Sequence, residues 1–285
     1  MGTVLAIDVG GTKVAAGLVD DRGALLARAQ RPTPRGEGAE AVFAAVLAVV
    51  AEVRRGDEQA CGVGCGGPMA PGGTAVSPLN IADWRGFPLR QRLAEALDLP
   101  VHVDNDAKAL ALGEGWVGAA AGARDYIAMV VSTGVGGGIV LEGRLLHGAA
   151  GNAGHIGHVV VEPDGRPCAC GARGCLEAEA SGTAIAARTG RPAAEAGPEE
   201  RERAGRLVGR AVGSVANLLD LRLAVVAGSV ALGFGEPFFA AAQAELDRVA
   251  RLDFSRGTRI RPAGLGDAGP LVGAAAVART ALGHR

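Results

Sequence analysis

No apolar run of this 285-residue chain comes near the ~20 residues that a membrane-spanning helix needs. Nor does it open with the basic-then-apolar segment of a secretion signal, so a cytoplasmic protein is expected. Charge of one sign is missing too. The net charge is -1, and Lys and Arg are scattered, so there is no basic stripe for a nucleic acid to follow. Cysteine is sparse and odd in number, five in all, which does not suit a disulfide framework. Aromatics make up 3%; with so much Ala, Gly and Arg, that is the coding bias of a GC-rich genome rather than a functional signal. No stretch reads G-x-x-x-x-G-K-[ST], which excludes a P-loop.

What is abundant is glycine, 46 residues spread over several short clusters rather than a repeat, as many tight turns around a ligand require. Hydrophobic residues at 48% and charged ones at 21% describe an ordinary globular interior, in one or two domains at this length. The opening stretch, TVLAIDVGGTKVAAGLVDDRGALLARAQ, reads as strand, Gly-Gly turn, strand, turn and a third strand. Val42, Val46, Val49 and Val53 then repeat at helical spacing across residues 39–55. VHVDNDAKALALGEGWVG is a strand running into a helix capped near Asp104 or Asn105. About 120 residues after the first unit, YIAMVVSTGVGGGIVLEGRLLHG repeats strand, glycine turn, strand, turn, strand. Helices are expected at about 198–219 and 237–250, with RLAVVAGSVAL between them an apolar strand ending in a Gly-Ser turn. Strands alternate with helices in both halves, so two α/β domains facing a cleft are predicted.

Asp8-Val9-Gly10-Gly11-Thr12-Lys13 lies between two strands, whereas a dinucleotide fingerprint must open a helix. A Gly-Gly hairpin lets backbone N–H groups and a Thr hydroxyl approach phosphate, and the carboxylate of Asp8 beside it suits hydrated Mg²⁺. A plain hairpin with Asp8 capping it is the alternative. The second glycine cluster, Gly134 to Gly138 in the repeated context, favours the phosphate reading. At the strand-to-helix junction, Asp104, Asn105 and Asp106 serve either as helix caps or as a carboxylate orienting a weakly nucleophilic hydroxyl.

Cys168, Cys170 and Cys175 place three thiols within eight residues on a glycine-rich loop, and His158 lies ten positions before the first. Three thiolates and an imidazole form a closed tetrahedral zinc set, structural because no open position remains for water. Cys61 and Cys65 lack such partners and read as small core residues.

Together, DVGGTK, VDNDAKALALGE, STGVGGGIV and GHIGH…CACGARGCLE resemble the ROK family of repressors and sugar kinases, in order and over nearly the whole chain. The duplicated units likewise resemble the actin, hexokinase and Hsp70 ATPase fold: two α/β domains, here with a structural zinc loop at 158–175. That resemblance implies a small N-terminal domain, 1–112, joined by a C-terminal helix at about 272–285, and a larger domain, 113–271. The first glycine turn begins at Asp8, leaving no room ahead of it for a DNA-binding domain, so the kinase branch is expected.

The resemblance implies ATP and Mg²⁺ as cofactors beside structural Zn²⁺, and transfer of phosphate to the 6-hydroxyl of a hexose. It makes Asp106 the base and puts Gly66, Asn80, Asn105, His155, His158 and Glu177 at the sugar. Asp8, Gly10, Gly11, Thr12, Lys13, Thr133 and Gly134 would face the phosphates, and Gly228, Gly266 and Asp267 the rest of the nucleotide. The wording of SPLNIADWRGFPL is nearest to bacterial glucokinases, which makes glucose the expected sugar. The family motif, however, has Glu where this chain has His155, Glu at Asp104 and Asn at Lys108. The change at His155 alters contacts at C1 and C2 and keeps amino sugars open: N-acetylmannosamine, N-acetylglucosamine or kanosamine. A non-catalytic sugar sensor is the alternative from another class. A homodimer is expected by resemblance only, with no nucleic-acid or membrane partner.

Overall fold

The computed structural model describes residues 2–284. In chain order, the elements begin with β1 (Thr3–Val9), β2 (Lys13–Val19), β3 (Leu25–Pro32), α1 (Ala39–Val53), β4 (Glu58–Cys65), α2 (Leu89–Leu97), β5 (Val101–Asn105) and α3 (Asp106–Val117). They continue with β6 (Tyr126–Val131), β7 (Val135–Leu141), β8 (Arg144–Leu145), α4 (Leu176–Ala180), α5 (Gly182–Thr189) and α6 (Pro198–Leu219). Last come β9 (Leu223–Ala227), α7 (Ser229–Phe234), α8 (Glu236–Val249), β10 (Arg259–Pro262) and α9 (Gly269–Ala281). No helix among the described residues is long and apolar enough to cross a membrane.

The chain forms two compact units. One holds the residues up to Ala121, the segment His147–Ala153, and everything from Leu265 on; the other holds Gly122–Leu146 and Gly154–Gly264. Each has one five-stranded sheet, of order β3-β2-β1-β4-β5 in the first and β10-β9-β6-β7-β8 in the second. In both, an antiparallel three-stranded meander continues into two parallel strands: β1–β4–β5 and β6–β9–β10. The duplication legible in the sequence is therefore a duplication of topology.

The first sheet is covered on both faces, so its central strands read as near-continuous apolar runs. Leu5, Ile7 and Leu18 are fully buried with Val42, Val46 and Val49 of α1, each large side chain contributing about 1.5–3 kcal/mol. The opposite face takes Ala6 and Ala15 against Leu271, Ala274 and Ala275 of α9. The small residues of α9 have a reason. A Cβ on Gly62 in β4 would stand 1.9 Å from the Ala274 carbonyl oxygen, so helix and strand meet backbone to backbone. In the second unit, β6 and β9 bury Ile127, Met129, Ala224 and Val226 beneath α6 and α8.

Two local readings need correction. The first helix stops at Val53 rather than Arg55: Arg54 is extended, and its guanidinium donates to Leu97 O at 2.6 Å. Of Gly134 to Gly138, only Gly134 lies in the turn. Gly136–Gly138 are strand residues of β7, and a Cβ on Gly137 would meet Gly154 O at 3.0 Å and Ile156 Cγ2 at 3.1 Å. The strand in RLAVVAGSVAL ends at Ala227, at the expected Gly-Ser turn, and Ser229–Phe234 goes on as helix.

Candidate active site

In the first unit, strand register aligns the chemistry. Asp8 on β1 pairs with Gly64 on β4, which pairs with Asp104 on β5, and one step on Val9, Cys65 and Asn105 pair likewise. The residues after these parallel strands therefore emerge together at their carboxyl ends, where open α/β sheets bind ligands. A Cβ on Gly64 would lie 3.7 Å from Asp106 Cα and 3.9 Å from Asp8 Oδ1, so the backbone of Asp106 and the carboxylate of Asp8 flank that glycine. Burial, then the charge of Asp106, push the Asp8 carboxyl up to about 7, against the pull of Lys13 and Arg28.

Asn105 caps α3, its Oδ1 accepting from Ala107 N at 3.0 Å, and Asp106 Oδ1 accepts from the same N–H at 2.8 Å. Each cap uses a single oxygen of its side chain. Asn80 Oδ1 and Asn105 Nδ2 lie 3.5 Å from the Cβ positions of Gly66 and Gly67, an acceptor and a donor over one loop. Gly11 packs on Asn80, whose backbone oxygen would be 2.6 Å from a Cβ at Gly11. Asp8, Gly10, Gly11, Gly66, Asn80, Asn105 and Asp106 thus lie close together in one unit. Gly266 and Asp267 form a short turn ahead of α9 in the same unit, where Leu265 N donates to Glu114 Oε1 at 3.1 Å.

The first glycine turn is fixed through its carbonyls. Its carbonyls are engaged: Gly10 O by Thr33 Oγ1 (2.6 Å), Gly11 O by the Arg35 guanidinium (3.0 Å) and Thr12 O by Thr33 N (3.0 Å). Gly10 N donates to Lys13 O, while the N–H groups of Gly11 and Thr12 have no partner among the described residues. Paired N–H groups of this kind bind anions.

The second turn, Ser132–Gly134, uses the same device. Gly182 N holds Ser132 O (2.7 Å), Thr183 Oγ1 holds Thr133 O (2.9 Å), and Ser132 N holds Gly134 O (2.9 Å). The N–H groups of Thr133 and Gly134 are left without a partner among the described residues. Val135 N donates to Glu177 Oε2 at 2.8 Å, and that oxygen would be 2.7 Å from a Cβ on Gly134, so a side chain there would displace the carboxylate. Ser229, next to Gly228, places its hydroxyl 2.9 Å from that of Ser132. Sequence reading missed Thr33, Arg35 and Thr183. Thr33 becomes visible only through hairpin register, with Lys13 opposite Pro32; Thr183 only once α5 is known to begin at Gly182.

His155 owes its direction to two glycines. Cβ atoms on Gly154 and Gly157 would stand 2.3 Å from Gly137 O and 2.2 Å from Val135 O, so the backbone on either side of His155 lies flat on β7. The imidazole is left exposed, with its ring centroid 6.1 Å from that of His158. The ligand atoms of His158, Cys168, Cys170 and Cys175 all lie within 4.8 Å of one another. Cys170 Sγ is 3.7 Å from Cys175 Sγ, and Cys168 Sγ is 3.7 Å from His158 Nδ1. Thiolates at 2.3 Å from a tetrahedral zinc are about 3.8 Å apart, so the donor set fits that ion. The loop is also held from outside. Glu179 accepts from Arg166 N (2.6 Å) and Arg203 Nη2 (2.7 Å), bonds that keep its carboxyl below the usual range although burial opposes them. Cys61 and Cys65 are fully buried and burial raises both thiols, as core residues require.

The family model for "ROK family" matches residues 4–281. The chain is 37% identical to an N-acetylmannosamine kinase of Yersinia pseudotuberculosis over 303 aligned positions, 99% of this chain and 100% of that protein. Among solved structures, it is similar to the ROK hexokinase of Thermus thermophilus (TM-score 0.84, 35% identity, 99% of each chain). The ROK glucokinase of Streptomyces griseus, solved with glucose and AMPPNP, also has a TM-score of 0.84, at 33% identity over 98% of this chain and 100% of that one. Matched by the family model over residues 4–281 and 37% identical to a curated kinase along 99% of its length, this chain belongs to the ROK family and is a sugar kinase of it.

Proposed function

We propose that this kinase transfers the γ-phosphoryl group of ATP to the 6-hydroxyl of N-acetylmannosamine. The observation that carries the choice of sugar is His155. A carboxylate only accepts hydrogen bonds, whereas a neutral imidazole also donates one. The carbonyl of a 2-acetamido group is an acceptor, so it suits the imidazole and would oppose the Glu of the family motif. The 37% identity to N-acetylmannosamine kinases along nearly the whole chain supports the same reading. It replaces glucose, the expectation from SPLNIADWRGFPL, as the first choice. Glucose stays as the second reading, favoured by the likeness to the Thermus hexokinase and the Streptomyces glucokinase.

In this reading Asp106 orients the 6-hydroxyl and takes its proton as the oxygen bonds to phosphorus; the bond to the ADP oxygen breaks and ADP leaves. Asn80, Asn105, His155 and Glu177 hold the sugar hydroxyls and the 2-substituent. Two pairs of N–H groups, Gly11–Thr12 and Thr133–Gly134, bind phosphate oxygens from fixed backbone, so little reorganisation is needed as charge moves. Lys13 and Arg35 add positive charge at the first turn. Asp8 is the residue to hold Mg²⁺, which supplies charge neutralisation at the phosphates when bound. A carboxyl raised by burial and by a second carboxylate is one that a divalent cation relieves. His158 has two tasks: with Nδ1 on the zinc, its other ring nitrogen carries the proton and donates to a sugar hydroxyl. Gly228, Gly266 and Asp267 belong to the nucleotide contacts. A cytoplasmic homodimer completes the proposal, and light scattering tests the dimer. The test of the reaction is NMR of the product made from N-acetylmannosamine and Mg-ATP. Phosphorus coupling at C6 is expected; coupling at C1, or no sugar phosphate at all, would overturn the reading.

A further inference from the structure

We propose that Lys108 is a positioning residue, holding the segment His147–Ala153 and the Asp104 carboxylate against the turn that carries Asn105 and Asp106. This role rests on the kinase reading of those two residues.

The side chain of Lys108 is 2% exposed, the only lysine or arginine among the described residues to be buried so completely. Its ammonium donates to Gly151 O at 2.7 Å and lies 3.9 Å from Asp104 Oδ1. Asp104 in turn accepts from Asn105 N at 2.8 Å, and its other oxygen is 3.9 Å from His147 Nδ1. Asp104 and Lys108, the two positions where DNDAK departs from the motif, are therefore one device gripping both ends of the same segment. Burying an ammonium for stability alone is a poor arrangement, since an apolar side chain of equal volume avoids the desolvation. What the ammonium supplies is a directed bond to one carbonyl.

The segment needs such an anchor. Residues 147–150 are exposed, and its own bonds are few: Ala153 N to His147 O at 2.9 Å, Gly151 N to Gly148 O at 3.3 Å and Asn152 Nδ2 to Ala150 O at 3.0 Å. Freeing Gly151 O would loosen the segment and, through Asp104, the Asn105–Asp106 turn.

The test compares Lys108→Met, which keeps the volume, and Lys108→Asn, which restores the motif residue but is too short to reach Gly151. Hydrogen exchange of the peptide spanning 147–153 is read beside KM for the best-accepted sugar and for ATP. The expected result is exchange about tenfold faster or more at Ala153 N–H and sugar KM up about tenfold or more, with KM for ATP within twofold. Unchanged exchange, or equal rises in both KM values, would overturn the proposal. Should N-acetylmannosamine not be the sugar, exchange and the sugar that is turned over still decide this role, so the two readings fail separately.

Discussion

Asp8→Asn should make the folded protein more stable while abolishing its activity, and the gain should depend on pH. The Asp8 carboxyl is raised from 3.8 to about 7 by burial and by Asp106, so the folded state holds a proton that the unfolded state has lost. A raised carboxyl destabilises the native state progressively as pH climbs through the unfolded value, and fully once pH passes the folded one. At 1.36 kcal/mol per unit, the cost is about 2 kcal/mol at pH 5 and up to about 4 kcal/mol at pH 8, less whatever water at the site screens. The neutral amide removes that cost, so the variant's advantage in urea unfolding grows from pH 5 to pH 8 and vanishes below about pH 4. The titration is done in magnesium-free buffer without chelator, because chelation would also strip a zinc loop. With Mg²⁺ present, the wild type recovers part of the difference and the variant does not. A pH-independent difference, or a variant less stable than wild type at pH 8, would refute the claim that the two carboxylates are held together at a stability cost.

Asp106→Asn keeps the Ala107 cap acceptor but not the base, so kcat should fall about 10²–10⁴-fold with the unfolding midpoint not lowered, since the charge beside Asp8 is removed; stopped assays of ADP release decide it. Thr183→Val removes the hydroxyl that holds Thr133 O, and KM for ATP should rise about two- to tenfold with sugar KM constant. Cys175→Ser breaks the metal set; zinc per chain, measured by mass spectrometry, should fall well below one. The Tm should drop with it, by about 2–4 °C for each kcal/mol of zinc binding lost. His155→Glu restores the motif carboxylate and should shift the ratio of kcat/KM values toward glucose by about tenfold or more.

The duplicated strand-turn-strand pattern was legible because its signals are local: alternating apolar runs interrupted by glycine pairs, and Asn105 directly before a helical run. The Cys/His loop was legible because three thiols and an imidazole within 18 residues have few other uses. What escaped the sequence depends on close approach between backbones. Gly136–Gly138 look like a flexible turn, yet Gly137 and Gly154 are small because β7 and the chain before His155 touch. The residues that hold the turn carbonyls, Thr33, Arg35 and Thr183, lie on neighbouring segments and gain meaning only through register. Asp104 and Lys108 read as two unrelated departures until the structure sets them face to face. β10 was missed for a different reason: RIRP is a short edge strand of mostly exposed residues and carries no apolar alternation.

The central claim is best tested by measuring kcat/KM for N-acetylmannosamine and for glucose side by side, with saturating Mg-ATP and purified full-length protein. The account predicts a clear preference for N-acetylmannosamine, about tenfold or more, as a hydrogen bond from His155 to the acetamido carbonyl would give. A preference for glucose, or no turnover of N-acetylmannosamine, would contradict it.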